Sequence, residues 1–279
     1  LKKMTITMER LQQLIDENVT LHHMNDQELS EDILPTLATL QQSLRIQLLT
    51  LLERFAHNEQ VDFARKERVM LELISDDYLF YNQGMLDSKD VYKRAYSMKT
   101  LSYFIDAHNN EPFIEDAAYE QLYRAVMLYI QLEEDVRSYG KEGGLVQPVA
   151  YAVDALEKLM HDERFPKEQS ANLFRVLANK IACSSVLYIG DEKEVLSKAI
   201  MNLLKIHLDE KVIEDFFVRV PKFITRQQDK LRSEEQLYLY KNVTGFLYVF
   251  HLYVYRKNVH NSLLKSINHC LEKLTLQMK

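Results

Sequence analysis

Six glycines and five prolines are all that 279 residues contain. Tight turns, hairpins and strand crossovers draw heavily on those two residues, so a chain this poor in them can reverse direction only a few times. Long helices joined by short connections are the architecture left open. With 47% hydrophobic residues, a chain of this length can also bury a continuous core. The spacing of apolar residues agrees: Ile33, Leu37, Leu40, Leu44, Leu48, Leu51, Leu52 and Phe55 recur at three and four and draw one stripe down a helix.

Punctuation separates such stripes. Ser30 and Ser233 sit where N-caps belong, the latter with Gln236 three residues on as a capping box, and Pro112, Pro166 and Pro221 suit first-turn positions. Gly84, Gly140, Gly143, Gly144 and Gly190 fall in the gaps. Helix onsets read near Asp62, Ser88, Phe113, Leu145, Pro166, Asp191, Lys211, Ser233 and Asn258. They recur about every 20 to 30 residues, so a pair occupies roughly 45, the size of a HEAT-like helical hairpin. No repeated signature accompanies that period, which keeps an irregular helical bundle as the alternative. The expectation is a single all-α domain over residues 1–279, of stacked antiparallel helices in a HEAT-like α-α superhelix. The best sub-boundary is the gap at 140–144.

Net charge is −6, and its distribution says more than its sum. From Phe216 to Lys279 there are 11 Lys/Arg against 4 Asp/Glu, whereas the preceding residues carry 24 against 37. A basic C-terminal third can meet an acidic partner, nucleic acid or the acidic part of another copy; because its cations are spread out, solvated helix faces are the plainer reading. Five tyrosines in it, Tyr238, Tyr240, Tyr248, Tyr253 and Tyr255, read as helix-packing aromatics with hydroxyls at the rim rather than a base-stacking surface. Cys183 and Cys270 make no metal-ligand spacing and no disulfide framework, so free, mostly buried thiols in a reducing, cytoplasmic compartment are expected. Leu1 to Arg10 is mixed and polar, without the apolar core of a cleavable signal. The most apolar run, Val243 to Tyr255, is too short against the roughly 20 residues needed to span a bilayer.

Signatures of catalysis are missing: there is no HExxH, no GxxxxGK[ST], no GxGxxG, no GxSxG and no EF-hand loop. His161-Asp162 is a dipeptide that can ligate metal in all-α phosphohydrolases, yet it ends a helix and lacks a recognisable first His or last Asp. The acids Asp76-Asp77 and Glu133-Glu134-Asp135 read as solvated helix ends. No metal and no cofactor is expected.

The stretch EGGLVQPVAYAVDALEKL, Glu142 to Leu159, puts two glycines and a proline ahead of a helix. On a helical wheel Val149, Ala152, Val153, Leu156, Leu159 and Met160 share one side, and Gln147, Tyr151, Asp154 and Lys158 the other. Positions 147, 151 and 154 are spaced i, i+4, i+7 and can grip one ligand, although Pro148 biases Gln147 out of helical geometry. Gly143 and Gly144 allow close approach of another backbone.

The run YIQLEEDVRSYGKEGGLVQPVAYAVDAL from Tyr129 resembles the bacterial family catalogued as domain of unknown function 2785. Its members read approximately E-x-D-x-R-G-Y, then G-W-x-H-x-x-x-H-x-x-A-D. Matches are Glu133, Asp135, Arg137, Tyr139, Gly144 and Asp154. Upstream, VYKRAYS is similar to V-F-x-R-S-F-S at Val91, Arg94 and Ser97; later, Glu192, Glu194 and Leu196 resemble E-x-E-R-L, and Asn242, Phe246 and Leu247 resemble N-x-x-x-F-L-R. The likeness spans roughly Asp62 to Tyr255 and leaves the first sixty residues unplaced. It implies an all-helical fold and brings no established activity. Where the family has Trp and two His this chain has Leu145, Gln147 and Tyr151, and where it has two later arginines this chain has Val195 and Tyr248. Two His and an Asp at that spacing would make a metal or acid–base cluster; here Asp154 alone remains.

The polar cluster expected is therefore Arg94, Asp135, Arg137, Tyr139, Gln147, Tyr151 and Asp154, with Arg94 and Arg137 placed to pair with Asp135 or Asp154 and the 140–154 segment entering a concave or central face. The leading expectation is a non-catalytic binding or scaffold protein taking an unknown protein or small anionic ligand, with self-association open and no membrane partner. The competing classes are a hydrolase-type enzyme using Asp154 with Arg94 and Arg137, and nucleic-acid binding through the basic C-terminal third.

Overall fold

The structure, a computed structural model, describes residues 6–16 and 24–277. Its helices are α1 (Met8–Asp16), α2 (Asp26–Glu28), α3 (Gln42–His57), α4 (Phe63–Leu73), α5 (Asp90–Asn110), α6 (Asp116–Leu132), α7 (Pro148–Leu159), α8 (Ser170–Ile181), α9 (Glu192–Ile206), α10 (Glu210–Gln227), α11 (Ser233–Lys257) and α12 (Asn261–Gln277). Among the described residues the strands are two residues each, β1 (Tyr139–Gly140) and β2 (Gly144–Leu145). They pair antiparallel with Tyr139 opposite Leu145 and Gly140 opposite Gly144. The fold is all-α, helix packed on helix.

The described residues form two compact units, one running to Asp135 and including Tyr139–Asp162, the other comprising Val136–Ser138 and the residues from Glu163 on. In the first, α1 packs on α3, α3 on α5, α5 on α7, and α6 also on α7. In the second, α9 packs on α11, α10 on α12, and α11 also on α12. The turn at Gly140–Gly144 lies inside the first unit.

Every expected onset from Asp62 to Asn258 falls within a few residues of a helix start. The stripe from Ile33 to Phe55 is buried as its spacing requires, with Leu40 half-buried, but it does not run down one helix. A π turn over Leu29–Ile33 passes into a 3₁₀ turn over Leu34–Ala38, and extended Thr39 and Gln41 break the chain before α3. Pro35 accounts for the change: it has no N–H to give the preceding turn, and its ring obstructs a continuing helix.

Three capping expectations are corrected. Ser30 lies within the π turn, where its hydroxyl donates to Glu72 at 2.8 Å, and Asn25 caps the helix start instead. Ser233 is the first residue of α11; the box is closed one position earlier, by Glu235 accepting from the Arg232 N–H at 2.9 Å. Gln236 turns back to the carbonyls of Gln228 and Leu231. Pro221 stands inside α10, not in its first turn. It is buried, so apolar packing holds a residue that local propensity would place at an end.

Candidate functional site

Helix α7 is the centre of the first unit. Val149, Ala152, Val153, Leu156, Leu159 and Met160 are all buried, but so are Gln147 and Tyr151 on the side that the wheel left to a ligand, because α5 and α6 both pack on α7. Its far end is tied down by three bonds: Asn109 donates to the Lys158 carbonyl at 2.9 Å, Tyr119 to the Leu159 carbonyl at 3.0 Å, and His108 Nε2 meets Asp162 at 3.0 Å. His108 Nδ1 accepts the N–H groups of Phe113 and Ile114, so that nitrogen is unprotonated and Nε2 carries the proton given to Asp162. His161 bonds Glu157 at 3.1 Å. The His161-Asp162 pair thus closes helix ends, and among the described residues no three His, Cys, Asp or Glu side chains form a group suited to a metal ion.

The start of α7 answers what the paired glycines do. Gln147 has φ +41° and ψ 53°, in the left-handed region rather than the extended one that a following proline favours, and its carbonyl still accepts from the Tyr151 N–H. Ahead of it the β1–β2 hairpin is clasped from α3 and α5. Arg45 donates to the Gly143 carbonyl and, at 2.8 Å, to that of Thr39, with its guanidinium 5.0 Å from the Tyr92 ring centre and 4.4 Å from that of Tyr96. Tyr92 donates to the Gly144 carbonyl at 3.0 Å and Tyr96 to that of Leu145 at 2.6 Å. A Cβ on Gly143 would lie 2.7 Å from the Tyr92 ring, so glycine admits the clasp. The loop is a lock for α7, and Arg45, from the stretch that the sequence left unplaced, is its centre.

Arg94 is wholly buried and makes a two-pronged ion pair with Glu133, at 2.7 and 2.9 Å, while its third nitrogen donates to the carbonyls of Tyr81 and Asn82. Burial by itself would lower the guanidinium's ionisation; the hydrogen bonds and charge of Glu133, with a smaller part from Asp135, outweigh it and hold it above its ordinary value. The Tyr129 hydroxyl, buried beside the same carboxylate, is held well above its usual range by burial first and by the Glu133 charge second. Asp135 is buried, with its N–H donating to Glu133 at 3.2 Å. Glu133 and Asp135 are therefore not solvated end charges, and Arg94 forms its ion pair with Glu133 rather than with Asp135 or Asp154.

The other expected residues divide. Tyr139 is 56% exposed on β1, and Arg137 is half-buried in the Val136–Ser138 segment of the second unit. Gln147 is buried at the clasp. Tyr151 meets residues that the sequence did not single out: its hydroxyl lies 3.4 Å from that of Tyr96, and Lys99 Nζ is 5.4 Å from the ring centres of both Tyr151 and Tyr103. Asp154 pairs with Lys158 at 3.1 Å, both about four-fifths covered. Burial pushes the Tyr103 and Tyr151 hydroxyls far above their usual range, with Glu53 and Asp154 adding to the shift at Tyr103 and Tyr96 at Tyr151. This α5–α7 face, Lys99, Tyr103, Tyr151, Asp154 and Lys158, offers charge and hydrogen bonds.

In the second unit two of the family-like residues, Asn242 and Glu192, are again buried fasteners, whereas Glu194 is exposed. Asn242 accepts from the Tyr188 N–H at 2.9 Å and donates to the carbonyls of Cys183 and Val186, binding the 183–188 loop to α11. Both cysteines are free; Cys270 is buried, with its thiol pushed up to about 12, and Cys183 is half-buried. Glu192, wholly buried, accepts from Ser138 at 2.5 Å and from the Gly190 N–H at 3.0 Å. Burial raises its carboxyl above the ordinary 4.5 against the lowering effect of those hydrogen bonds.

That shift has a sign that can be measured. A carboxyl with a raised folded value binds its proton more readily folded than unfolded, so it favours the folded state most at low pH. The contribution is lost as pH climbs from the ordinary glutamate range through the raised value, and is constant above it. Glu192→Gln cannot ionise; its single carbonyl oxygen can still accept from the Gly190 N–H while its amide group donates to the Ser138 hydroxyl oxygen. Urea midpoints between about pH 4 and about pH 8 are expected to shift in the variant's favour as pH rises; a difference independent of pH would contradict the assignment.

An all-helical protein whose motif residues fasten helices to loops is the class that this geometry defines. The family described as "Protein of unknown function (DUF2785)" matches residues 79–254, and the chain belongs to it. No curated protein and no solved structure matches the chain. Among the described residues no helix is long and apolar enough to cross a membrane.

Proposed function

We propose that the chain is a non-catalytic binding or scaffold protein, and that the α5–α7 face takes its partner, a protein or a small anionic ligand. The observation that carries this reading is the state of the polar groups. Arg94 is enclosed with Glu133, Asp154 shares its charge with Lys158, and the Tyr103 and Tyr151 hydroxyls hold their protons. Lys99 and Lys158 give that face cations, and Tyr103 gives it a half-covered aromatic edge, a set that recognises but does not turn over. Next-but-one packing in each unit, α3 on α5 and α5 on α7, then α9 on α11 and α10 on α12, supports stacked HEAT-like pairs, an architecture that exposes long grooves. Two free thiols fit a reducing, cytoplasmic setting.

A photo-crosslinker introduced at Tyr103 tests this. In native lysate it is expected to capture one discrete species, and Lys99→Ala with Asp154→Ala should abolish the capture while the thermal melt stays within about 3 °C of the parent. Phosphoester or ester turnover that disappears in Asp154→Asn, or stoichiometric zinc, manganese or iron in the purified protein, would replace this reading with the hydrolase one.

A further inference from the structure

From Gln236 to Leu271 the chain contains no aspartate or glutamate, although the whole carries a net charge of −6. Most of that tract is α11. Its inner face, Leu239, Val243, Phe246, Leu247, Phe250 and Val254, is buried. The opposite face is not: Leu237, Tyr248, Leu252 and Tyr255 are 46, 59, 53 and 65% exposed, and Val259, just past the helix end, is 69% exposed. With Lys241 and Gly245 these positions fall within an arc of about 80° on a helical wheel and extend over roughly 30 Å. Of the five tyrosines that spacing assigned to helix packing, Tyr248 and Tyr255 thus belong to an outward stripe, while Tyr238, Tyr240 and Tyr253 are half-buried.

Its setting is cationic. Lys193 lies across Gly245, where a Cβ would come within 2.8 Å of its chain, and anchors its ammonium on the Tyr188 carbonyl at 3.1 Å. Lys241 stands within the stripe, and Arg256 and Lys257 flank its far end. The nearest acids along α11, Glu234 and Glu235, lie in its first turn, where they bond Tyr238 and Arg232. His251 stacks on Tyr255 with ring centres 6.4 Å apart.

We propose that this face docks an acidic amphipathic helix of a protein partner. Side chains at three- and four-residue spacing form the ridge that another helix receives in its groove, and an acidic flank on that helix would meet Lys193, Lys241, Arg256 and Lys257. Symmetric pairing of two copies through this face would oppose the same cations, which is unfavourable. A nucleic acid would find four cations spread along an otherwise apolar stripe, too few for a phosphate track. The proposal goes beyond the α5–α7 reading and uses residues of the other unit, so either can fail alone.

The probe is a synthetic helical peptide of about 20 residues, leucine on one face and glutamate elsewhere, with a lysine counterpart, titrated against the full chain by fluorescence anisotropy. The acidic peptide is expected to bind and the lysine peptide not. Affinity should fall about tenfold or more between about 50 and about 500 mM salt, and by a similar factor in Tyr248→Ser with Leu252→Ser, exposed positions whose replacement leaves the melt unchanged. Equal binding of both peptides, or no effect of the double variant, would overturn the proposal. So would silence of the acidic peptide together with retention on phosphatidylserine vesicles, on single-stranded DNA, or in a self-associated form that Leu252→Ser disperses.

Discussion

Arg94→Ala is expected to lower the stability of the folded chain by about 3–5 kcal/mol, a large part of the roughly 5–15 kcal/mol that a folded domain possesses. Neither Arg94 nor Glu133 is more than 2% exposed, so removing the guanidinium leaves a buried carboxylate without its cation and abandons the carbonyls of Tyr81 and Asn82. Glu133→Ala should cost a similar amount, with Arg94 as the stranded charge. The double replacement Arg94→Met with Glu133→Leu separates the pair's net contribution from the penalty of breaking it. It removes both charges while filling the volume, and is expected to recover at least half of the loss. Urea denaturation of the four chains completes the cycle. Single variants that each lose less than about 1 kcal/mol would show that the pair is solvated and that the polar centre of the first unit is open.

That pair also marks where the sequence stops being legible. Arg94 and Glu133 stand 39 residues apart, and no periodicity reports which carboxylate an arginine will meet once α5 and α6 have folded. Helix positions were legible because burial repeats at three and four, as Ile213, Phe217, Val220 and Ile224 of α10 show, and because Pro148 keeps Gln147 out of right-handed helical geometry. Where local and tertiary preferences compete the reading slipped, at Ser30, absorbed into a π turn, and at Pro221, held mid-helix by its buried surroundings. Likeness to the family marked Arg94, Glu133, Glu192 and Asn242, and each proves to be a buried fastener. Lys99 and Lys158 on the α5–α7 face sit at ordinary surface spacing; Lys158 was legible from the wheel, Lys99 only from packing.

Arg45 is the residue that sequence had least reason to notice, and its removal should have the second largest effect. It is 98 residues from Gly143, is 1% exposed, and donates to backbone carbonyls. Two backbone carbonyls and two tyrosine rings neutralise its setting, interactions that only a planar, permanently charged fork can make together. Arg45→Ala is expected to cost about 3–5 kcal/mol, from charge-assisted hydrogen bonds, ring contacts and the cavity left behind. Arg45→Lys should recover only part, since an ammonium cannot reach both carbonyls while stacking between rings. The readout that separates a hairpin lock from general core loss is hydrogen exchange. In Arg45→Lys, amides of the hairpin and the first turn of α7 should exchange faster while those of Val69 to Leu73 in α4 keep their protection. Uniform acceleration would make Arg45 a packing residue only. Selective acceleration would mean that the clasp sets the start of α7, and through it the placement of Tyr151 and Asp154 on the face proposed to bind.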